Sequence, residues 1–329
     1  MKIAIVRLSS LGDIIKGASI LQHINAIYPE AEITWIVDSL FGDILDYTDN
    51  LDNIIKINLK NLKRNFSIVQ AKLEFSKLKR AKYDIVIDMH GMLKAALISK
   101  YISKNKVYGF DNLAKERASK LFYTNKIKFR CDENEIFRFN SLVAQSLNYT
   151  ISNQSLETIK PFLNYKQKDY SQYNKYFTGK SIILAMGSSQ GWDAKKYPLD
   201  KWIDIINLLP YNFLLIWGST QEKLEAEMVA SNSHATILPK IDFNDLKYLI
   251  HRADLIVGND TGPTHIGWAI GTKSIILLGC TDTNVMVESK NHIAIKSSSI
   301  VQHCKFKKDD LSIEEIDSKL VIKHIEEII

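Results

Sequence analysis

Cysteine is scarce in this sequence. Cys131, Cys280 and Cys304 are the only three in 329 residues, with no CxxC spacing and no Cys/His cluster. That excludes a disulfide framework and a zinc module, and it fits free thiols in a reducing compartment. Long apolar runs are missing too. No stretch approaches the ~18 residues of a membrane-spanning helix. The opening "MKIAIVRLSS" has too short an apolar run for a secretory signal and no small-residue cleavage site. A cytoplasmic protein is expected. There is no internal repeat and no low-complexity tract. Two nucleotide signatures are also absent. Gly12 stands alone where a dinucleotide fingerprint has three glycines, and GxxxxGK[ST] does not occur, which argues against a nicotinamide site and a P-loop.

What is present is an ordinary globular composition, 46% hydrophobic and 24% charged, in a chain long enough for two domains. Its net charge of +6 is unevenly placed. Lys56–Arg130 contains 19 Lys and Arg against 5 Asp and Glu, whereas the rest of the chain has an excess of eight acidic residues. The basic half suits an anionic partner: nucleic acid, an anionic membrane or a phosphorylated substrate. A solvated lysine-rich surface explains any single lysine equally well. Nucleic acid is disfavoured, because Lys56–Lys82 offers only Phe66 and Phe75 for base stacking, at helical-core spacing.

Apolar strands alternate with amphipathic helices throughout. Strands are expected at 2–7, 32–38, 53–58 and 83–88, and helices near 14–28, 40–47, 66–82, 92–102, 113–122 and 134–148. A polar, tyrosine- and lysine-rich stretch at 164–180 reads as a linker. Beyond it, strands are expected at 181–186, 212–217, 235–238, 254–258 and 273–279, with helices at 199–209, 221–231, 243–251 and 263–270. A last helix at 313–328 opens with Ser312 and Glu315 at capping-box spacing. Near-continuous β-branched strands separated by helices mean parallel sheets covered on both faces. The expectation is two α/β domains, 1–165 and 178–329, the last helix being able to return onto the first domain. Ligands of such sheets bind beyond the carboxyl ends of strands, here in a cleft between the domains.

Four stretches lie at such ends. In "RLSSLGD", 7–13, Gly12 permits a tight turn and Asp13 opens a helix, as a cap or as a catalytic carboxylate. In "NDTGPTH", 259–265, a strand turns into a helix with Pro263 in its first turn, and the N–H groups of Thr261, Gly262 and Thr264 would form an anion site. In "MGSSQGWDAKKYP", 186–198, Ser188, Ser189 and a lysine suit a pyrophosphate, although a plain surface loop reads as well. In "WGSTQEK", 217–223, Glu222 could accept from a ribose diol or stand solvated in a first helical turn. This partition suggests a nucleotide on the second domain facing a base on the first.

Together, "RLSSLGD", "DMHGMLKAA" at 88–96, Lys195 three residues before Pro198, "WGSTQE" and "NDTGPTH" resemble the bacterial lipopolysaccharide heptosyltransferases, over essentially the whole chain. The pattern is most similar to the type that adds the first heptose to Kdo–lipid A. The type that adds the second heptose is the nearest alternative, and a non-catalytic two-lobed nucleotide-sugar binding protein is the alternative of another class. The resemblance implies a GT-B fold, two Rossmann-like domains with parallel sheets facing across a cleft. It implies ADP-L-glycero-β-D-manno-heptose as donor, the Kdo of the lipid A inner core as acceptor, inversion at the anomeric carbon and no metal or other cofactor. Residue by residue, it implies Asp13 as catalytic base, and Ser10 and Gly12 beside it are expected to contact the acceptor. It places Lys195 on phosphate, Pro198 favouring it over Lys196. Glu222 falls on ribose, and Asp260, Thr261, Gly262 and His265 on the donor. Lys94 matches an acceptor-side lysine, and Lys115 stands in the register of an acceptor arginine, with Arg117 nearby. Lys60, Lys63, Arg64 and Lys120 complete the expected contacts to Kdo carboxylates and lipid A phosphates. The enzyme is expected to be a monomer, peripheral on the anionic inner face of the inner membrane, with no nucleic-acid partner.

Overall fold

The computed structural model describes residues 1–59, 68–78, 83–103, 105–188, 192–301 and 307–329, without the side chains of 68–72. The chain divides into two compact units, Met1–Asn164 and Tyr165–Ile329.

In the first unit β1 (Lys2–Val6), β2 (Glu32–Asp38), β3 (Asn53–Ile57), β4 (Ile85–Asp88), β5 (Val107–Phe110) and β6 (Asn125–Ile127) form one sheet in the order β3-β2-β1-β4-β5-β6. Every pairing is parallel, with Val6 beside both Ile36 and Asp88. Ile3, Ala4, Ile5 and Val6 are completely buried, as a central strand covered on both faces requires. Its helices are α1 (Leu11–Ala18), α2 (Leu21–Ile27), α3 (Ile68–Leu78), α4 (Leu93–Ile102), α5 (Glu135–Ser146) and the single turn α6 (Gln154–Glu157).

The second unit repeats the plan. Strands β7 (Ser181–Ala185), β8 (Asn212–Leu215), β9 (Thr236–Ile237), β10 (Leu255–Asn259), β11 (Ser274–Leu278) and β12 (His292–Lys296) are ordered β12-β11-β10-β7-β8-β9. Its helices are α7 (Leu199–Leu208), α8 (Thr220–Ser231), α9 (Phe243–Arg252), α10 (Gly262–Ile270) and α11 (Ser318–Ile328). Both sheets have the doubly wound order in which the strand sequence reverses beside the first strand. The switch point lies between β1 and β4 in one unit and between β7 and β10 in the other. No helix among the described residues is long and apolar enough to cross a membrane.

Several elements differ from expectation for local reasons. The helix expected at 14–28 is two, broken where the Ser19 hydroxyl donates to the Lys16 carbonyl at 2.7 Å and to Asn140. The expected 40–47 helix is a 3₁₀ turn, Gly42–Leu45, ended by Tyr47 at φ +64°. The expected 113–122 helix is a 3₁₀ segment, Arg117–Phe122, with Ser119 buried and Leu121 82% exposed. The short strands β5, β6 and β12 carry too little apolar signal to be seen in advance. The last helix starts at Ser318 under an Asp317 cap, while Ser312 accepts from Ser297 instead. It buries Val321, Ile325 and Ile328 in the same core as Trp202 of α7. The 164–180 stretch is not a plain linker. Tyr170 stacks on Tyr248 of α9 at 3.7 Å, and the Tyr173 hydroxyl donates to Asp245 at 2.6 Å.

Candidate active-site residues

The first unit gathers its charged groups at the β1/β4 switch point. Ser10 caps α1, and its N–H and hydroxyl both donate to the Asp13 carboxylate, at 3.3 and 3.0 Å. Capping alone would leave Asp13 at an exposed helix start. Instead Arg7, 1% exposed just past β1, forms a salt bridge to it. The guanidinium also donates to the Met89 carbonyl beyond β4 and lies over the Phe139 ring at 4.9 Å. Lys16 and Lys115 complete the ring of cations, at 3.6 and 3.7 Å from Asp13. Burial opposes ionisation of Asp13, but Arg7, Lys115, Lys16 and the Ser10 N–H outweigh it and hold the carboxyl well below the usual range.

The turn after β4 places Lys115. Asp88 is fully buried and accepts from the N–H groups of His90 and Gly91 at 2.7 and 3.0 Å and from the Tyr123 hydroxyl at 2.8 Å. Burial pushes its carboxyl up to about 6 despite these bonds. Gly91 sits at φ +70°, and a Cβ there would meet Ala114 and Lys115 backbone at 3.3 Å. The 114–116 backbone therefore lies directly on the glycine, with the Glu116 N–H donating to its carbonyl at 3.0 Å. His90 is 2% exposed; burial, then Arg7, Lys115 and Lys94, push its imidazole down to about 2, so it is neutral. Among the other expected acceptor residues, Lys94 is exposed in the first turn of α4, Arg117 is exposed, Gly12 is half-buried beside Asp13, and Lys120 pairs with Asp111. Lys60, Lys63 and Arg64 lie outside the described residues.

The second unit builds its cluster at the β7/β10 switch point. Asn259, completely buried at the end of β10, donates to the carbonyls of Met186 and Gly187 at 2.6 and 3.2 Å and accepts from the Tyr197 N–H. It ties together the two loops that hold the charged groups. Asp260 then receives Lys195 at 2.5 Å on one oxygen and faces His265 Nε2 at 3.0 Å on the other. Lys196 turns away to Glu225 of α8 at 2.9 Å, so only Lys195 of the pair reaches this cluster. Thr261 begins α10 without a side-chain cap. Its own N–H does not join the expected anion site, because it is bonded to the Asn259 carbonyl at 2.7 Å. Gly262 and Thr264 remain as the first-turn donors, Pro263 having none.

Glu222 is first of all a capping residue. Its Oε2 accepts from the N–H groups of Gly218 and Ser219 at 2.7 and 2.9 Å, while its own N–H donates to the Ser219 hydroxyl at 3.2 Å. Its Oε1 lies against Gly187, where any Cβ would collide with it. Ser188 is half-buried one residue further on, and Ser189 is outside the described residues. Among the described residues no group of three or more His, Cys, Asp or Glu side chains could hold a metal ion. Arg7, Asn259, Asp88 and Tyr123 were not anticipated. Arg7 opens the quoted motif, and a charged residue directly after the apolar run Ile3–Val6 was the available signal; nothing in the spacing links Asp88 to Tyr123.

The comparisons agree with this plan. The model of glycosyltransferase family 9 (heptosyltransferase) matches residues 73–314. Lipopolysaccharide heptosyltransferase 1 of Campylobacter coli is 31% identical across 100% of this chain and 99% of its own. The protein of the same name from Escherichia coli K12 is 24% identical over 87% of this chain and 90% of its own. Among solved structures, E. coli heptosyltransferase WaaC with ADP-2-deoxy-2-fluoro heptose superposes with TM-score 0.76 at 23% identity, covering 99% of both chains. E. coli ADP-heptose lps heptosyltransferase II gives 0.73 at 15% identity, covering 100% of this chain and 98% of its own. The two structures establish the fold as that of the GT-B heptosyltransferases. With the family model spanning most of the chain and a full-length relative at 31% identity, the chain belongs to glycosyltransferase family 9, the heptosyltransferases of lipopolysaccharide core biosynthesis.

Proposed function

We propose that this heptosyltransferase moves L-glycero-D-manno-heptose from ADP-heptose to the Kdo of the lipid A inner core, with inversion and without a required metal, at the inner face of the inner membrane. The observation that supports it most is the Asp13 carboxylate, held among Arg7, Lys16 and Lys115 at the switch point of a basic unit, with Lys16 shared with Glu135. The first-heptose reading rests on the full-length likeness to proteins named heptosyltransferase 1.

Asp13 takes the proton of the acceptor hydroxyl as the glycosidic bond forms, a role that contributes ~10²–10⁴-fold. Its cations make it a weak base while no acceptor is bound. An acceptor carrying carboxylates and phosphates competes for Lys115, whose side chain is 55% exposed, and basicity returns to Asp13 as that lysine turns to the substrate. Arg7, buried, stays and fixes the carboxylate. In the second unit Lys195 and the first-turn N–H groups of α10 meet the diphosphate and stabilise the charge that develops on departing ADP. The protein acts as a monomer.

The test is a transfer assay with ADP-heptose on Kdo–lipid A and on the same acceptor already bearing one heptose, with the product's anomeric configuration determined by NMR. Transfer to the first acceptor with inversion supports the reading. Transfer only to the heptosylated acceptor makes this the second-heptose enzyme, and retention removes Asp13 from the base's role.

A further inference from the structure

Helix α4, LKAALISKYI, buries Ala95, Ala96, Ile98, Ser99 and Ile102 within its unit. On its other side Leu93, Leu97 and Tyr101 are 37, 47 and 44% exposed. A spacing of four aligns them in one stripe. At 3.6 residues per turn, Lys94 falls on one border of that stripe and Lys100 on the other, and both are exposed. Tyr101 is held edge-on by Phe75 at 5.3 Å, so its ring has a fixed direction. The 3₁₀ segment Arg117–Phe122 packs against α4, and its Leu121 is 82% exposed. Between Asp88 and Asp111 the chain has no Asp or Glu. Isolated exposed leucines need no explanation, but an apolar stripe bracketed by lysines, on a helix with no acid of its own and with Glu116 engaged by the Leu93 N–H at its start, is the pattern of an interfacial helix.

We infer that this face of α4 is the surface by which the protein rests on an anionic bilayer, with Leu93, Leu97 and Tyr101 entering the headgroup boundary and Lys94 and Lys100 meeting lipid phosphates. The inference rests on the peripheral location proposed above and assigns it to one helix. A second copy of the chain docking by the same face would oppose lysine to lysine. A lipid surface presents the complementary negative charge and accepts the lysine stems as well. The helix begins two residues after Gly91, the glycine on which Lys115 lies, so a docked α4 brings the Asp13 site to the bilayer that holds an acylated acceptor.

Flotation of the full chain with phosphatidylcholine vesicles, with and without phosphatidylglycerol, tests this. Wild-type protein floats with the anionic vesicles, and less so as salt rises. Leu97→Glu lowers the bound fraction by about tenfold or more. Leu97→Gln, a milder change at the same exposed position, lowers it with a Tm near that of wild type. Leu208→Glu, at an exposed leucine of α7, leaves it unchanged. On a de-acylated, water-soluble Kdo acceptor Leu97→Glu retains wild-type kcat and KM, and on acceptor embedded in vesicles it loses activity. Equal flotation of Leu97→Glu and wild type, or equal loss in Leu208→Glu, overturns the assignment, and a protein partner for α4 would give the first of these. Failure of the wild type to float removes the peripheral location as well. Failure of the wild type on the soluble acceptor counts against the proposed transfer and not against the docking face.

Discussion

Lys195 Nζ lies 2.5 Å from Asp260 Oδ2, joining the loop after β7 to the loop after β10 at the switch point of the second sheet. Asp260 is shared with His265, so the lysine is pre-set by a carboxylate that is itself oriented. Replacing Lys195 by Ala removes a cation from the proposed diphosphate site and leaves Asp260 facing an anion. ADP affinity is expected to fall ~10–100-fold, about 1.4–2.8 kcal/mol. Lys196→Ala, which loses only the pair with Glu225 and Asp193, changes ADP affinity little. Isothermal calorimetry with ADP distinguishes the two; equal losses would contradict the assignment.

Glu222 separates a structural role from a binding one. Glu222→Ala deletes the capping box of α8 and should lower stability by about 1 kcal/mol. Glu222→Gln keeps an oxygen for the N–H groups of Gly218 and Ser219, so its Tm stays near wild type. If the carboxylate also accepts from the ribose diol, the Gln variant still weakens ADP binding several-fold. Thermal melts and calorimetry on both variants decide it; an unchanged Kd in both leaves Glu222 as a cap alone.

The carboxylates ending β4 and opening α1 respond to pH with opposite sign. Asp88, raised to about 6 in the folded state, binds a proton there while its unfolded counterpart, near 3.8, does not. Stability from this group is therefore greatest at low pH and falls as pH rises from about 4 through about 6, by up to about 3 kcal/mol. Asp13, lowered, contributes stability above the unfolded value that is lost as pH falls well below it. Denaturant unfolding of wild type and Asp88→Asn at pH 5 and 7.5 isolates the first effect. The wild type should lose stability relative to the variant on going to pH 7.5. A difference independent of pH would show that Asp88 does not titrate in this range.

Much of the scaffold was legible because parallel strands buried on both faces are written as uninterrupted apolar runs, as in "KIAIV" and "SIILA". The edges were not. "NKI" and "HIAIK" bury one side chain or none completely, so their strands follow from pairing with neighbours and not from pattern. The motif residues fall at strand ends, as spacing suggested, but their partners were hidden. That Arg7 holds Asp13, that Asn259 binds two carbonyls across the sheet, and that Asn259 also takes the Thr261 N–H are long-range or local bonding choices that spacing does not encode. The tyrosines at 165–176 read as polar linker because their packing partners, Tyr248 and Asp245, lie about seventy to eighty residues away.

The most direct measurement sets turnover beside binding for Asp13→Ala. Heptosyl transfer from ADP-heptose and ADP affinity are measured on the same folded preparation, checked by circular dichroism because the substitution also leaves the buried Arg7 without its carboxylate, while Lys16 keeps Glu135. With Asp13 as the base, transfer falls by at least ~10²-fold while ADP affinity stays within about twofold of wild type. Turnover above a tenth of wild type would contradict the role given to Asp13.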